Sequence, residues 1–303
     1  MTKYIVCLLF VTVISAAELT SPQIVILGRT GAGKSTLANV LMGQGFVDVK
    51  NCTFPVCQNA SPCTNSTQSA TGMWLGNGQI FSVVDTPGFG DGDPKSLEKF
   101  GELMSYLKSS VKKANTLVIL IDSRYQVLDA TQEQMLREMQ ALFGEKIWES
   151  AIIGVSFWHY DADSIEQRRV LNISEADVLR EINQELKKRL HIKTTLHGVF
   201  IDSQSQAPAF KNDKTQQDVF QHETSKLWKF AENSDVLFFK TVEDVLEENS
   251  KFKKEIEWLN DVITKNISEL QNHVRQLDGV SLEMLHILRF DLFHYVGFFR
   301  GFD

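Results

Sequence analysis

The run Ile24-Val25-Ile26-Leu27-Gly28-Arg29-Thr30-Gly31-Ala32-Gly33-Lys34-Ser35-Thr36 constrains the fold of this 303-residue chain more than any other feature. An apolar strand must lead into a glycine-rich turn and a helix must start near Lys34, because that geometry aims successive backbone N–H groups and the positive helix end at one small volume. Gly28, Gly31 and Gly33 keep side chains out of that volume. Lys34 is placed to bridge β- and γ-phosphates, and the Ser35 hydroxyl is placed to ligate Mg²⁺. The whole run Gly28, Arg29, Thr30, Gly31, Ala32, Gly33, Lys34, Ser35 and Thr36 is therefore a candidate polyphosphate cradle, and Leu37-Ala38-Asn39-Val40-Leu41 continues the required helix.

About fifty residues later, Phe81-Ser82-Val83-Val84-Asp85-Thr86-Pro87-Gly88 reads as an apolar strand ending in an acid and a turn. Asp85 suits a magnesium site reached through water, and the Gly88 N–H can face a γ-phosphate. Glycines at Gly90 and Gly92 leave the following loop free to change shape when that phosphate leaves. The pair of motifs is the arrangement of a nucleotide-controlled switch.

The chain resembles the immunity-associated GTPases, the GIMAP family, which are related to the chloroplast-envelope Toc GTPases and the septins. Three stretches carry the resemblance: GRTGAGKST at 28–36, DTPGFGD at 85–91, and Thr131-Gln132-Glu133 through Ala141-Leu142-Phe143-Gly144. It runs from about Gln23 to His222 and implies GTP/GDP and Mg²⁺ as ligands. It also implies a first-switch threonine that reaches the metal: Thr64, twenty-one residues before Asp85, is the choice, with Thr67 the competitor. In place of an Asn-Lys-x-Asp guanine signature the chain has Trp158-His159-Tyr160-Asp161. Asp161 falls where a base-selecting acid belongs and His159 beside it can stack or hydrogen-bond, while an ordinary surface turn reads equally well. The loop at Asp202-Ser203 is where the resemblance implies further base contact.

Phe89 holds the place where Ras-like proteins carry a water-orienting glutamine, so slow intrinsic GTP hydrolysis is expected. No catalytic residue can be assigned; Arg29 and Arg124 are candidate charge donors. A GTP-regulated switch or scaffold that self-associates when loaded is the preferred reading. The alternatives are a P-loop kinase or ATPase and a luminal nucleotide-binding protein that does not cycle.

Net charge of −7 and the lack of a basic tract argue against nucleic acid as a partner. Residues 1–17 read as a signal peptide, with Lys3, an apolar run from Tyr4 to Ile14, and Ser15-Ala16-Ala17 before the expected cleavage. Five glycosylation sequons, at Asn51, Asn59, Asn65, Asn172 and Asn266, agree with a secretory address. Cys52, Cys57 and Cys63 are the cysteines of the mature chain, able to pair there or to remain thiols in a reducing compartment. The resemblance points instead to the cytoplasm; the leader is the more direct signal for address, so the secretory pathway is the expected location and the cytoplasm the alternative.

Alternating strand and helix patterns predict an α/β fold: a three-layer domain with a mostly parallel sheet over 18–222, with helices at Leu97–Lys113, Gln132–Phe143 and Ser174–Leu190. Residues 223–303 read as helical. Val245, Asn249, Phe252, Ile256, Leu259, Ile263, Asn266, Leu270, His273 and Leu277 fall at alternating steps of four and three, a heptad seam with polar breaks. The seam can pair two chains or fold back on the first domain. The aromatic stretch Leu285 to Phe302 is too interrupted by charge to span a bilayer but can dock on the first domain, on a partner or on a membrane surface.

Overall fold

The computed structural model describes residues 21–45, 52–56, 64–88, 96–124, 128, 130–239 and 242–276. The leader at 1–17, Asn51, Asn59, Cys57, Cys63, the loop from Phe89 through Pro94, Leu277 and the aromatic stretch at 285–302 lie outside the described residues.

Six strands make one sheet: β1 (Gln23–Gly28), β2 (Gln68–Met73), β3 (Ile80–Asp85), β5 (Thr116–Asp122), β6 (Ala151–Ser156) and β7 (His197–Phe200), in the order β2-β3-β1-β5-β6-β7. Every pairing is parallel except that of the edge strand β2, which runs against β3. The central strands β5 and β6 are buried along their whole length. Such continuous Val/Ile/Leu runs are what a parallel sheet covered on both faces demands.

The helices divide between the two faces. Helices α2 (Ser96–Tyr106), α3 (Ala130–Phe143) and α5 (Glu175–Leu190) contribute Leu103, Met139 and Leu186 to one core. Helices α1 (Lys34–Leu41) and α6 (Lys214–Asn233) contribute Leu37, Leu41, Phe220 and Leu227 to the other, where Phe54 and Trp74 are also buried. The expected three-layer sandwich is thus the observed one. The three helices read from periodicity fall on α2, α3 and α5, and α5 carries the signals that start and stop a helix. Ser174 and Asp177 form a reciprocal capping box, and Lys187, Lys188 and Arg189 crowd the last turn.

Three elements depart from the sequence expectations. Helix α4 (Ala162–Leu171) buries no side chain, so it has no apolar stripe to betray it; Asp161 caps its start and Glu166 pairs with Arg169 along it. A two-residue strand β8 (Leu237–Phe238) pairs antiparallel with β4 (Lys113–Ala114), which follows a π-helical turn at Leu107–Val111. The compact unit continues through Val242. The second unit, from Glu243, is described through helix α7 (Val242–Gln276), 35 residues long.

Candidate nucleotide-binding site

Strand β1 ends at Gly28 and α1 begins at Lys34, as the motif requires. Gly33 caps that helix at φ 88° with no side chain donating to or accepting from the first turn, which leaves the helix N–H groups for an anion. Lys34 is buried and its Nζ donates to the Arg29 carbonyl at 2.9 Å. That bond holds the ammonium over the loop at the place where phosphate oxygens would compete for it.

Three oxygens converge beside the cradle. Ser35 Oγ donates to Asp85 Oδ2 at 2.6 Å and lies 3.0 Å from Thr64 Oγ1, which itself reaches Asp85 Oδ2 at 3.4 Å. Asp85 is fully buried, and its Oδ1 has no hydrogen-bond partner among the described residues. Burial pushes its carboxyl pKa up; hydrogen bonds from Ser35 and Thr64, the charge of Lys34 and the Thr86 backbone pull the other way without cancelling it. Two hydroxyls and a carboxylate with an idle oxygen make a donor set of the hard-oxygen kind that suits Mg²⁺. The competing Thr67 is buried elsewhere, its hydroxyl unpartnered among the described residues.

The turn after Asp85 is locked to the cradle. Thr86 Oγ1 donates to the Ile26 carbonyl at 2.8 Å. Gly88 packs so tightly on Thr30 that a Cβ there would stand 2.5 Å from the Thr30 nitrogen. Upstream, Asn39 exchanges two hydrogen bonds with the backbone of Phe54, donating to its carbonyl at 2.8 Å and accepting from its N–H at 3.0 Å. Gln44 holds the preceding residue, donating to the Thr53 hydroxyl at 2.7 Å and accepting from its N–H at 2.8 Å. The first-switch segment is thus anchored at Phe54 before it reaches Thr64.

The far wall is built at the end of β6. Ser156 Oγ donates to the Ala32 carbonyl at 2.8 Å and ties the strand to the cradle. The next residue, Phe157, takes φ +57°, a left-handed conformation that a bulky side chain rarely adopts and that marks functional sites. Its ring faces Gly33 on one side, and the Arg124 guanidinium lies 3.5 Å above the ring centroid. Arg124 also makes a two-pronged ion pair with the buried Asp122.

A cavity opens between this wall and the cradle, lined by Thr36, Leu37, Phe157, His159, Asp202 and Gln204 among others. His159 Nδ1 lies 3.2 Å from Asp202 Oδ2, and that hydrogen bond raises the imidazole pKa above its ordinary value against the effect of burial. Asp161 is not in the cavity lining; its oxygens accept from the Ser164 N–H and hydroxyl at 2.9 and 2.6 Å, which caps α4. Of the residues read from sequence, the structure brings Lys34, Ser35, Thr64 and Asp85 together, with His159 across the cavity. Nothing in the sequence marks Phe157 or Ser156 as part of the site, and the only trace of the Asn39–Phe54 clamp is the polar Asn39 inside an apolar helix.

The AIG1 family model matches residues 22–232, more than half of the chain. The chain belongs to the AIG1 family. Immune-associated nucleotide-binding protein 7 of Arabidopsis thaliana is 28% identical to it over 131 residues, 43% of this chain and 39% of that protein. GTPase Der of Buchnera aphidicola is 28% identical over 119 residues, 39% of this chain and 24% of that protein. The AIG1-family chain therefore spans less than half the length of either relative. Among solved structures, Toc33 from Arabidopsis thaliana in complex with GDP and Mg²⁺ aligns with a TM-score of 0.48 at 14% identity, over 73% of this chain and 88% of that one. The AIG1 match takes in the cradle, the converging oxygens and the β6 wall, and stops before α7.

Among the described residues no group of three or more His, Cys, Asp or Glu could hold a metal ion by itself, so a cation here would need the hydroxyls and the ligand's own phosphates. No helix among them is long and apolar enough to cross a membrane.

Proposed function

We propose that this AIG1-family chain binds GTP and GDP with Mg²⁺ and acts as a slow-cycling switch whose first-switch segment responds to the γ-phosphate. One observation carries the reading: Thr64, on the segment leading into β2, meets Ser35 of α1 and Asp85 of β3 at one point beside the phosphate cradle. Ser35, Thr64 and Asp85 would hold the metal, which would neutralise phosphate charge there. Lys34 would trade the Arg29 carbonyl for phosphate oxygens, and main-chain N–H groups of the loop and of the first turn of α1 would complete the anion shell, the Ala32 N–H being donated to the Arg29 carbonyl. Loss of the γ-phosphate would release the Thr64 end of a segment that stays anchored at Phe54. Phe89 at the water-orienting place supports a low hydrolytic rate.

Base selection, in this reading, rests on His159 and Asp202. With Nδ1 committed to the carboxylate, the ring's other nitrogen is left for the edge of a purine in the cavity, against the ring of Phe157. Loading, in this reading, adds a contact between globular units to whatever association the nucleotide-free chain has, and the leader at 1–17 and the exposed acceptor Asn172, between α4 and α5, support a secretory address.

Calorimetric titration of GTP, GDP and ATP with and without Mg²⁺ tests the proposal. Lys34→Ala is expected to weaken every nucleotide roughly 10- to 100-fold, the worth of a charge-assisted contact. Asp202→Asn should narrow the gap between GTP and ATP, whereas Asp161→Ala should leave it unchanged. Absence of heat with any purine triphosphate on the folded wild-type protein would end the proposal.

A further inference from the structure

Helix α7 presents an apolar row to solvent. Ile256, Leu259, Ile263 and Leu270 are 52%, 45%, 43% and 64% exposed, far more than large aliphatic side chains tolerate along one stripe without a cover. They are spaced three, four and seven residues apart, which keeps them on a single seam over a helix roughly 50 Å long. Ile256, Ile263 and Leu270 take the a positions of the heptad, and Leu259, Asn266 and His273 the d positions.

We infer that this seam is covered by the same helix of a second copy, in a parallel, in-register, two-stranded coiled coil. The inference goes beyond nucleotide binding and does not rest on it. β-Branched Ile at a with Leu at d favours two strands over three or four, and Ile256, Leu259 and Ile263 fit that pattern, while Asn266 and His273 put polar groups at the next two d positions. A single Asn at an a position, here Asn249 by sequence, sets register at some cost in stability.

The flanks decide orientation. In a parallel pair each g residue faces the partner's e residue of the next heptad, so Val262 meets the partner's Ile267 and the apolar strip widens on both sides of Ile263. By sequence position the same rule sets Glu248 opposite the partner's Lys253. An antiparallel pair would instead set the g row, with Glu248, Glu255 and Glu269, against its own copy, and like charges would repel.

Sedimentation velocity of the full chain without nucleotide is expected to show a dimer. Leu259→Asp with Ile263→Asp places charge in the seam and should weaken association on the order of 100-fold or more, with the melting transition of the globular unit unmoved. Leu270→Cys provides an independent arm, because only a parallel in-register pair sets position 270 against itself. Under oxidised glutathione it should give a covalent dimer, while Trp258→Cys, on the outer face, and the parent chain should not. A monomeric full chain, as when α7 folds back on its own globular unit, overturns the inference. So does a dimer that survives the aspartates, or one in which position 270 fails to cross-link.

Discussion

Asp85 serves two masters, since the same burial that prepares it for a dication penalises its charge when none is bound. Its folded pKa is raised, so the stability it brings is fully present below the unfolded value of about 3.9 and is lost as pH rises through the folded value. Asp85→Asn is therefore expected to raise the melting temperature of the nucleotide-free protein at neutral pH, and the gain should shrink as the pH is lowered. The same variant should lose the magnesium-dependent part of nucleotide affinity, and a melting scan across pH beside titrations with and without Mg²⁺ checks both. Residues of this kind were legible in the sequence because Lys34, Ser35 and Asp85 lie within short strings that only one chemistry explains. His159 and Asp202 were not legible as a pair: 43 residues separate them, and their relation exists only once β6 and β7 lie side by side. Phe157 was silent because a positive φ leaves no mark on residue type.

At the scale of elements, the anchor before the first switch is a side chain imitating a strand. Asn39 offers Phe54 one donor and one acceptor, as a neighbouring backbone would, while the Phe54 ring is fully buried in the core under α1. Phe54→Ala is expected to cost about 3–5 kcal/mol in unfolding free energy, a large aromatic lost from a packed site. Asn39→Leu should leave two buried backbone groups unpaired and cost about 1–3 kcal/mol for each; denaturant unfolding of both variants measures this. If the anchor limits how far the switch segment relaxes, hydrogen exchange over residues 64–67 in the GDP state should rise in Asn39→Leu. Helices with a buried stripe, such as α5 with Ile182, Leu186 and Leu190, showed in the sequence through their period. Helix α4 did not, since capping and local ion pairs hold it where burial holds the others.

For the molecule as a whole, the three layers and the mostly parallel sheet were legible in the alternation of strand and helix patterns, whereas the order β2-β3-β1-β5-β6-β7 and the antiparallel edge strand β2 were not, because strand neighbours are set by long-range packing that leaves no local pattern. Where the chain travels is a separate matter from how it folds. Asn172 closes α4 in a left-handed turn and is exposed, so expression in a secretory host should give a band that endoglycosidase collapses and Asn172→Gln shortens by one step. Unaltered mobility with every sequon intact would remove Asn172 as a support for the secretory address. Asn266, exposed on α7, belongs to another of those sequons and also occupies a d position of the seam. A sugar on that amide and a zipped helix pair are mutually exclusive, so on the secretory route only copies that escape the oligosaccharyltransferase at Asn266 could zip, and occupancy of that one amide would set the stoichiometry.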